Sequence, residues 1–132
     1  MRALVIDDSR ATRAILSRIL QQVGFETSDV ADGQLALTWL AENGPVDLAL
    51  VDWNMPVLDG LSFVKIVRAN PAYGPMKLMM VTTESDVERM ITALEAGADE
   101  YAMKPFTAGV IREKLDILGI GLPETPVAGG VV

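Results

Sequence analysis

The chain has 132 residues, one domain's length; half are hydrophobic and only 5% aromatic, so its core must be built from aliphatic side chains and Met. Without Cys there are no disulfides, thiolate metal sites or thiol nucleophiles, and without His there are no imidazole ligands or bases. Lys and Arg number 11 against 18 Asp and Glu, a net charge of −7 that repels a phosphate backbone and speaks against direct nucleic-acid binding.

The first apolar run, Ala3-Leu4-Val5-Ile6, is too short for a signal peptide core or a membrane span. No later run is long enough either, so a soluble, cytoplasmic chain with no membrane insertion is expected. The run lacks period-two alternation and reads as a strand buried on both faces. Ala14, Ile15, Ile19, Leu20 and Val23 then recur at helical steps, closed by Gly24. A weaker strand is expected at about Glu26–Val30. A second helix follows Asp32-Gly33, carries Leu35, Ala36 and Leu40, and stops at Asn43-Gly44-Pro45. Leu48-Ala49-Leu50-Val51 is the next buried strand. A third helix runs from about Leu61 through Val64, Ile66 and Val67 to a stop before Asn70-Pro71.

Leu78-Met79-Met80-Val81 reads as another buried strand. A fourth helix starts near Ser85, an N-cap candidate with Glu88 three residues on as its capping box. It carries Val87, Ile91 and Leu94 to Ala96-Gly97. A weak strand at Glu100–Met103 and a last helix from Thr107, with Ile111, Leu115 and Leu118 on one face, complete the series. Strand and helix alternate five times, which calls for a doubly wound α/β fold: five parallel strands with helices on both faces. Residues 1–120 form the expected domain. Residues 121–132, rich in Pro and Gly and without periodicity, read as a flexible tail or the stub of a linker.

Open parallel sheets bind ligands beyond the carboxyl ends of their strands, where strand order reverses. Asp7-Asp8, Asp52, Thr82-Thr83 and Lys104-Pro105 all fall at that edge. Any one Asp there could simply cap a helix or shape a turn. Three carboxylates converging on one pocket repel unless a cation is present. Oxygen ligands without His or Cys select a hard ion, and Mg²⁺ with retained waters suits so few carboxylates.

With these residues in view, the sequence resembles the receiver domain of two-component response regulators, most closely the single-domain chemotaxis type. The motifs are Asp7-Asp8, Asp52-Trp53-Asn54-Met55-Pro56 with Asp59-Gly60, Thr82, and Tyr101 with Lys104-Pro105-Phe106, over roughly residues 1–119. The resemblance implies a flavodoxin-like sheet of order 2-1-3-4-5 with five helices. It makes Asp52 the phosphoacceptor. Mg²⁺ would be bound by the side chains of Asp8 and Asp52, by the Asn54 backbone carbonyl, and by Asp7 mainly through water. Lys104 would pair with a phosphoryl oxygen, Thr82 would donate its hydroxyl to another, and Tyr101 would be the aromatic switch that turns inward on phosphorylation. The Lys104–Pro105 bond would be cis. The implied partners are a sensor histidine kinase as phosphodonor and a target protein docking on the face of helix 4, strand 5 and helix 5, with the chain itself monomeric.

The chemistry makes these residue types sensible without the family. A carboxylate attacking phosphorus joins two anions, so phosphoryl transfer depends on positioning and charge neutralisation more than on a general base. The expected rim of the site is Trp53, Thr83, Glu84 and Pro105. Thr83 stands where the family usually has a smaller residue, and its bulk narrows access to Asp52. Ser9 stands where chemotaxis regulators often have Phe, whereas Trp53, Asn54 and Glu84 match that type. Met79, Met80, Met90 and Met103 are expected to fill the core, Trp39 to be half buried, and Asp99 and Glu100 to form a solvated face. A haloacid-dehalogenase-type phosphatase also uses a strand-end Asp and Mg²⁺, but its general acid would fall at Asn54. A flavodoxin-like cofactor carrier needs a phosphate-cradling first loop, which Asp7-Asp8 would oppose. A receiver severed from a larger regulator is the remaining alternative.

Overall fold

The computed structural model of the protein describes residues 1–84 and 86–120. The proposed tail at 121–132 and the expected cap at Ser85 lie outside the described residues. In chain order the elements are β1 (Arg2–Ile6), α1 (Arg10–Val23), β2 (Glu26–Val30), α2 (Gly33–Asn43), β3 (Leu48–Val51), α3 (Gly60–Arg68), a 3-10 turn (Pro71–Tyr73), β4 (Lys77–Thr82), α4 (Val87–Ala96), β5 (Glu100–Met103) and α5 (Ala108–Ile117). The strands form one parallel sheet in the order β2-β1-β3-β4-β5.

The continuous apolar runs have a direct physical cause. Successive side chains of a strand point to opposite faces, and both faces are covered. Leu4, Ile6, Ala49, Val51, Leu78 and Met80 pack on the side of α2, α3 and α4. Ala3, Val5, Leu48, Leu50, Met79 and Val81 pack on the side of α1 and α5.

Polar caps set the helix starts. Ser9, Asp32, Asp59 and Thr107 each accept a backbone N–H from the residue three positions on, at the head of α1, α2, α3 and α5. Gly24 ends α1 at φ 109°, a left-handed conformation that costs glycine nothing. The head of α4 is capped by Asp86, whose carboxylate accepts the Glu88 N–H at 2.8 Å.

Several apolar side chains do not go where periodicity alone would send them. Val87, Ile91 and Leu94 make a stripe along α4, yet all three are exposed and only Ala93 of that helix is buried. Ile15, Leu35 and Ile66 also face outward, while Leu16 and Phe63 take the inward positions on α1 and α3. Met79 and Met80 are core residues, joined by Met76, but Met103 is exposed. Trp39 is half buried, as expected.

Asp99 is not a merely solvated acid. Its Oδ2 accepts the Leu78 N–H and an Arg68 Nη2 hydrogen, each at 2.8 Å. Arg68 further donates to the carbonyls of Gly97, Tyr73, Gly74 and Met76. One guanidinium thereby ties α3, the 3-10 turn and the start of β4 to the α4–β5 connection. Glu100 pairs with Lys114 at 3.2 Å.

Candidate functional site

The strand order reverses between β1 and β3, and the crevice beyond their carboxyl ends is where such sheets take ligands. The backbone ladder carries the acidic residues into it: the Asp7 N–H bonds to the Val30 carbonyl, and the Asp52 N–H to the Ile6 carbonyl. On the far side the Lys104 N–H bonds to the Thr82 carbonyl at 2.9 Å. Residues far apart in sequence are therefore placed by the sheet itself.

Carboxylate oxygens of Asp7, Asp8 and Asp52 lie within 4.8 Å of one another. Asp7 and Asp52 are buried and Asp8 is exposed. Lys104 Nζ lies 2.8 Å from Asp7 Oδ2 and 3.4 Å from Asp52 Oδ2. The remaining oxygens of the two buried acids are held locally: Asp7 Oδ1 accepts the Ser9 N–H at 2.8 Å, and Asp52 Oδ1 accepts the Trp53 N–H at 2.7 Å. Asp8 has no hydrogen-bond or ion-pair partner among the described residues. Arg13 secures the loop from α1, donating to the Asp7 carbonyl at 2.7 Å while pairing with Asp29 on β2.

Burial pushes the Asp52 carboxyl above the usual carboxylate range, and the neighbouring Asp7 adds to it. Lys104, the Thr82 hydroxyl and the Trp53 N–H pull the other way without cancelling the rise. Burial lowers the Lys104 ammonium, but the Asp7 and Asp52 carboxylates overcome this and raise it, so the cation is held in place. The donor set is all oxygen and suits a hard divalent ion. One carboxylate faces solvent and two are fixed behind it.

Trp53, Asn54, Thr83, Glu84 and Pro105 directly follow Asp52, Thr82 or Lys104 in sequence or lie one residue further on. Trp53 is 6% exposed and packs into the core from the residue after Asp52. Asn54 Nδ2 donates to Glu84 Oε2 at 3.0 Å. Thr83 is exposed, and the bond between Lys104 and Pro105 is cis. Thr82 is fully buried, and its hydroxyl oxygen accepts the Glu84 N–H at 3.3 Å.

The Tyr101 ring lies inward in the structure. It is buried, at 4% exposure, and its hydroxyl donates to the Glu84 carbonyl at 2.7 Å.

Two contributors went unassigned in the sequence. Gly60 approaches the acceptor so closely that a Cβ would strike the Asp52 carbonyl oxygen, and its N–H bonds to the Trp53 carbonyl at 2.9 Å. The Asp59-Gly60 pair carried that signal, since glycine before a helical period marks a close approach. Arg89 of α4 lies over the Trp53 ring, with its guanidinium carbon 5.5 Å from the centroid. Nothing in the local sequence indicates that contact.

Comparison with known proteins agrees with this geometry. The response regulator receiver domain family matches residues 3–116. The chain is 43% identical over 126 residues to a chemotaxis protein CheY homolog of Campylobacter jejuni, covering 94% of this chain and 97% of that one. It is 39% identical over 119 residues to chemotaxis protein CheY1 of Helicobacter pylori, covering 89% and 96%. Among solved structures, chemotaxis protein CheY4 of Vibrio cholerae superposes with a TM-score of 0.81 at 34% identity, covering 88% of this chain and 96% of that one.

Proposed function

This chain belongs to the response regulator receiver domain family, and from that premise we propose that it is a phosphorylation-activated switch. It takes a phosphoryl group from the phospho-His of a sensor histidine kinase onto Asp52, in chemotaxis-type two-component signalling. The observation that carries the reading is the convergence of the Asp7, Asp8 and Asp52 oxygens within 4.8 Å beside the Lys104 ammonium.

In this reading an oxygen of the Asp52 carboxylate attacks phosphorus, and the bond from phosphorus to the donor imidazole breaks. Asp8 and Asp52 would hold Mg²⁺ by side chains, Asn54 by its carbonyl and Asp7 through water; the ion would neutralise charge on the phosphoryl oxygens. Lys104 is the protein's own cation at that point and pairs with one phosphoryl oxygen. Thr82 donates its hydroxyl to another. The reaction is the protein's own modification, followed by slow self-catalysed hydrolysis, rather than turnover of a metabolite.

Phosphorylation replaces one carboxylate charge by about two. Thr82 answers by turning its O–H, which bonds to Asp52 in the unmodified protein, onto the phosphoryl group, and its oxygen carries the Glu84 N–H with it. That rearrangement passes to Glu84, Tyr101 and the surface of α4, β5 and α5. There Val87, Ile91, Leu94 and Met103 stand exposed for a target protein to read. The same reading has residues 1–120 act as the switch unit, monomeric and cytoplasmic.

Beryllofluoride, a phosphoryl mimic, tests the reading without a kinase. It should bind only with a divalent cation and change Trp53 fluorescence. Binding that survives EDTA, or that persists in Asp52→Asn, contradicts the assignment.

A further inference from the structure

The Glu84 side chain is held from two sides by residues of different elements. Asn54 donates to Oε2 at 3.0 Å, and Arg89 Nε stands 3.4 Å from Oε1. The same Arg89 lies over the Trp53 ring at 5.5 Å, within the range of a cation–π contact. Trp53 in turn is covalently next to Asp52, and its N–H holds Asp52 Oδ1. One cation from α4 thereby contacts both the ring of the residue next to Asp52 and the Glu84 carboxylate. The Arg89 side chain is 51% exposed, so the core does not depend on it.

We propose that Arg89 is a positioning residue that sets how long a phosphoryl group survives on Asp52, by holding Trp53 and Glu84 against the entry of water. The proposal rests on the reading of Asp52 as phosphoacceptor. Loss of the group is attack of a water oxygen on phosphorus with cleavage of the bond from phosphorus to the Asp52 oxygen. Both water protons leave on inorganic phosphate and the carboxylate is restored. The phosphoryl group is anionic, so a variant that keeps the Arg89 charge is needed to separate charge from shielding. An anionic phosphodonor would feel charge and shielding together. Because α4 also exposes Val87, Ile91 and Leu94, a partner seated on that helix would bear on the same arginine.

The test uses the full chain with Trp39→Phe, so that Trp53 is the single indole. The parent, Arg89→Gln and Arg89→Lys are phosphorylated with acetyl phosphate and Mg²⁺. The donor is then removed and the decay of the adduct is followed by intact mass. Arg89→Gln should shorten the lifetime roughly two- to five-fold, the effect of one exposed cation–π contact. It should also raise acrylamide quenching of Trp53. Arg89→Lys keeps the charge beside Glu84 but not the planar face, and should fall between. Equal lifetimes, or shorter ones with unchanged Trp53 quenching, overturn the proposal while leaving Asp52 as acceptor. A parent that takes no phosphoryl group overturns the functional reading and the proposal together.

Discussion

Tyr101 joins the site to the surface through a single atom. Its hydroxyl donates to the Glu84 carbonyl, while the Glu84 N–H donates to the Thr82 hydroxyl. Burial holds the phenol above its ordinary value of 10.0, with the Glu84 carboxylate adding to the rise and Arg89 opposing it. A folded-state value above the unfolded one means that the native state keeps its proton longer. Stability from this group is therefore complete below pH 10.0 and is lost as pH rises from there through the folded value. Lys104 titrates in the same direction, so Tyr101 is isolated only by comparison. Tyr101→Phe should cost about 1 kcal/mol at neutral pH, for the lost hydrogen bond. Its urea midpoint should then fall less steeply than the parent's above pH 10.0. Parallel curves for the two proteins would show that the buried phenol does not titrate as described.

The helix α4 shows where periodicity stops being informative. Val87, Ile91 and Leu94 at successive turns define a stripe, but a stripe says nothing of what covers it. In the fold the small Ala93 meets the core and the stripe meets solvent. Ile91→Ser should leave stability within about 0.5 kcal/mol, because the side chain is half exposed. Leu20→Ala, on the buried face of α1, should cost about 2–5 kcal/mol. A comparable loss from Ile91→Ser, read by urea unfolding, would mean that α4 packs through its stripe after all. The strands were legible for the opposite reason. With both faces covered, the buried runs 3–6, 48–51 and 78–81 of β1, β3 and β4 must be apolar, and Asp7, Asp52 and Thr82 mark where each run ends. The Arg68 fork and the Arg89–Trp53 contact were not legible. Each joins residues distant in sequence through long side chains, which leave no local period.

Taken whole, the molecule carries a net charge of −7 and gathers three carboxylates at one edge with Lys104 against two of them. That edge is a store of repulsion which a divalent cation relieves. Mg²⁺ at ten times its Kd should stabilise the fold by roughly 1.4 kcal/mol, a rise of a few degrees in Tm. Asp8→Asn should raise the Tm of the ion-free protein and abolish the Mg²⁺ effect. A parent Tm indifferent to Mg²⁺, or an Asp8→Asn variant that still responds, would count against the metal centre. On the proposed function, activation is a shift between two pre-existing arrangements, which takes only a few kcal/mol of differential binding. The claim beneath all of this is that Asp52 is the phosphoacceptor, and peptide mass spectrometry after incubation with acetyl phosphate addresses it most directly. The account predicts one phosphoryl group on the peptide bearing Asp52, formed with Mg²⁺, absent with EDTA and absent in Asp52→Asn. A phosphoryl group on another residue of the parent, or none with Mg²⁺ present, would contradict it.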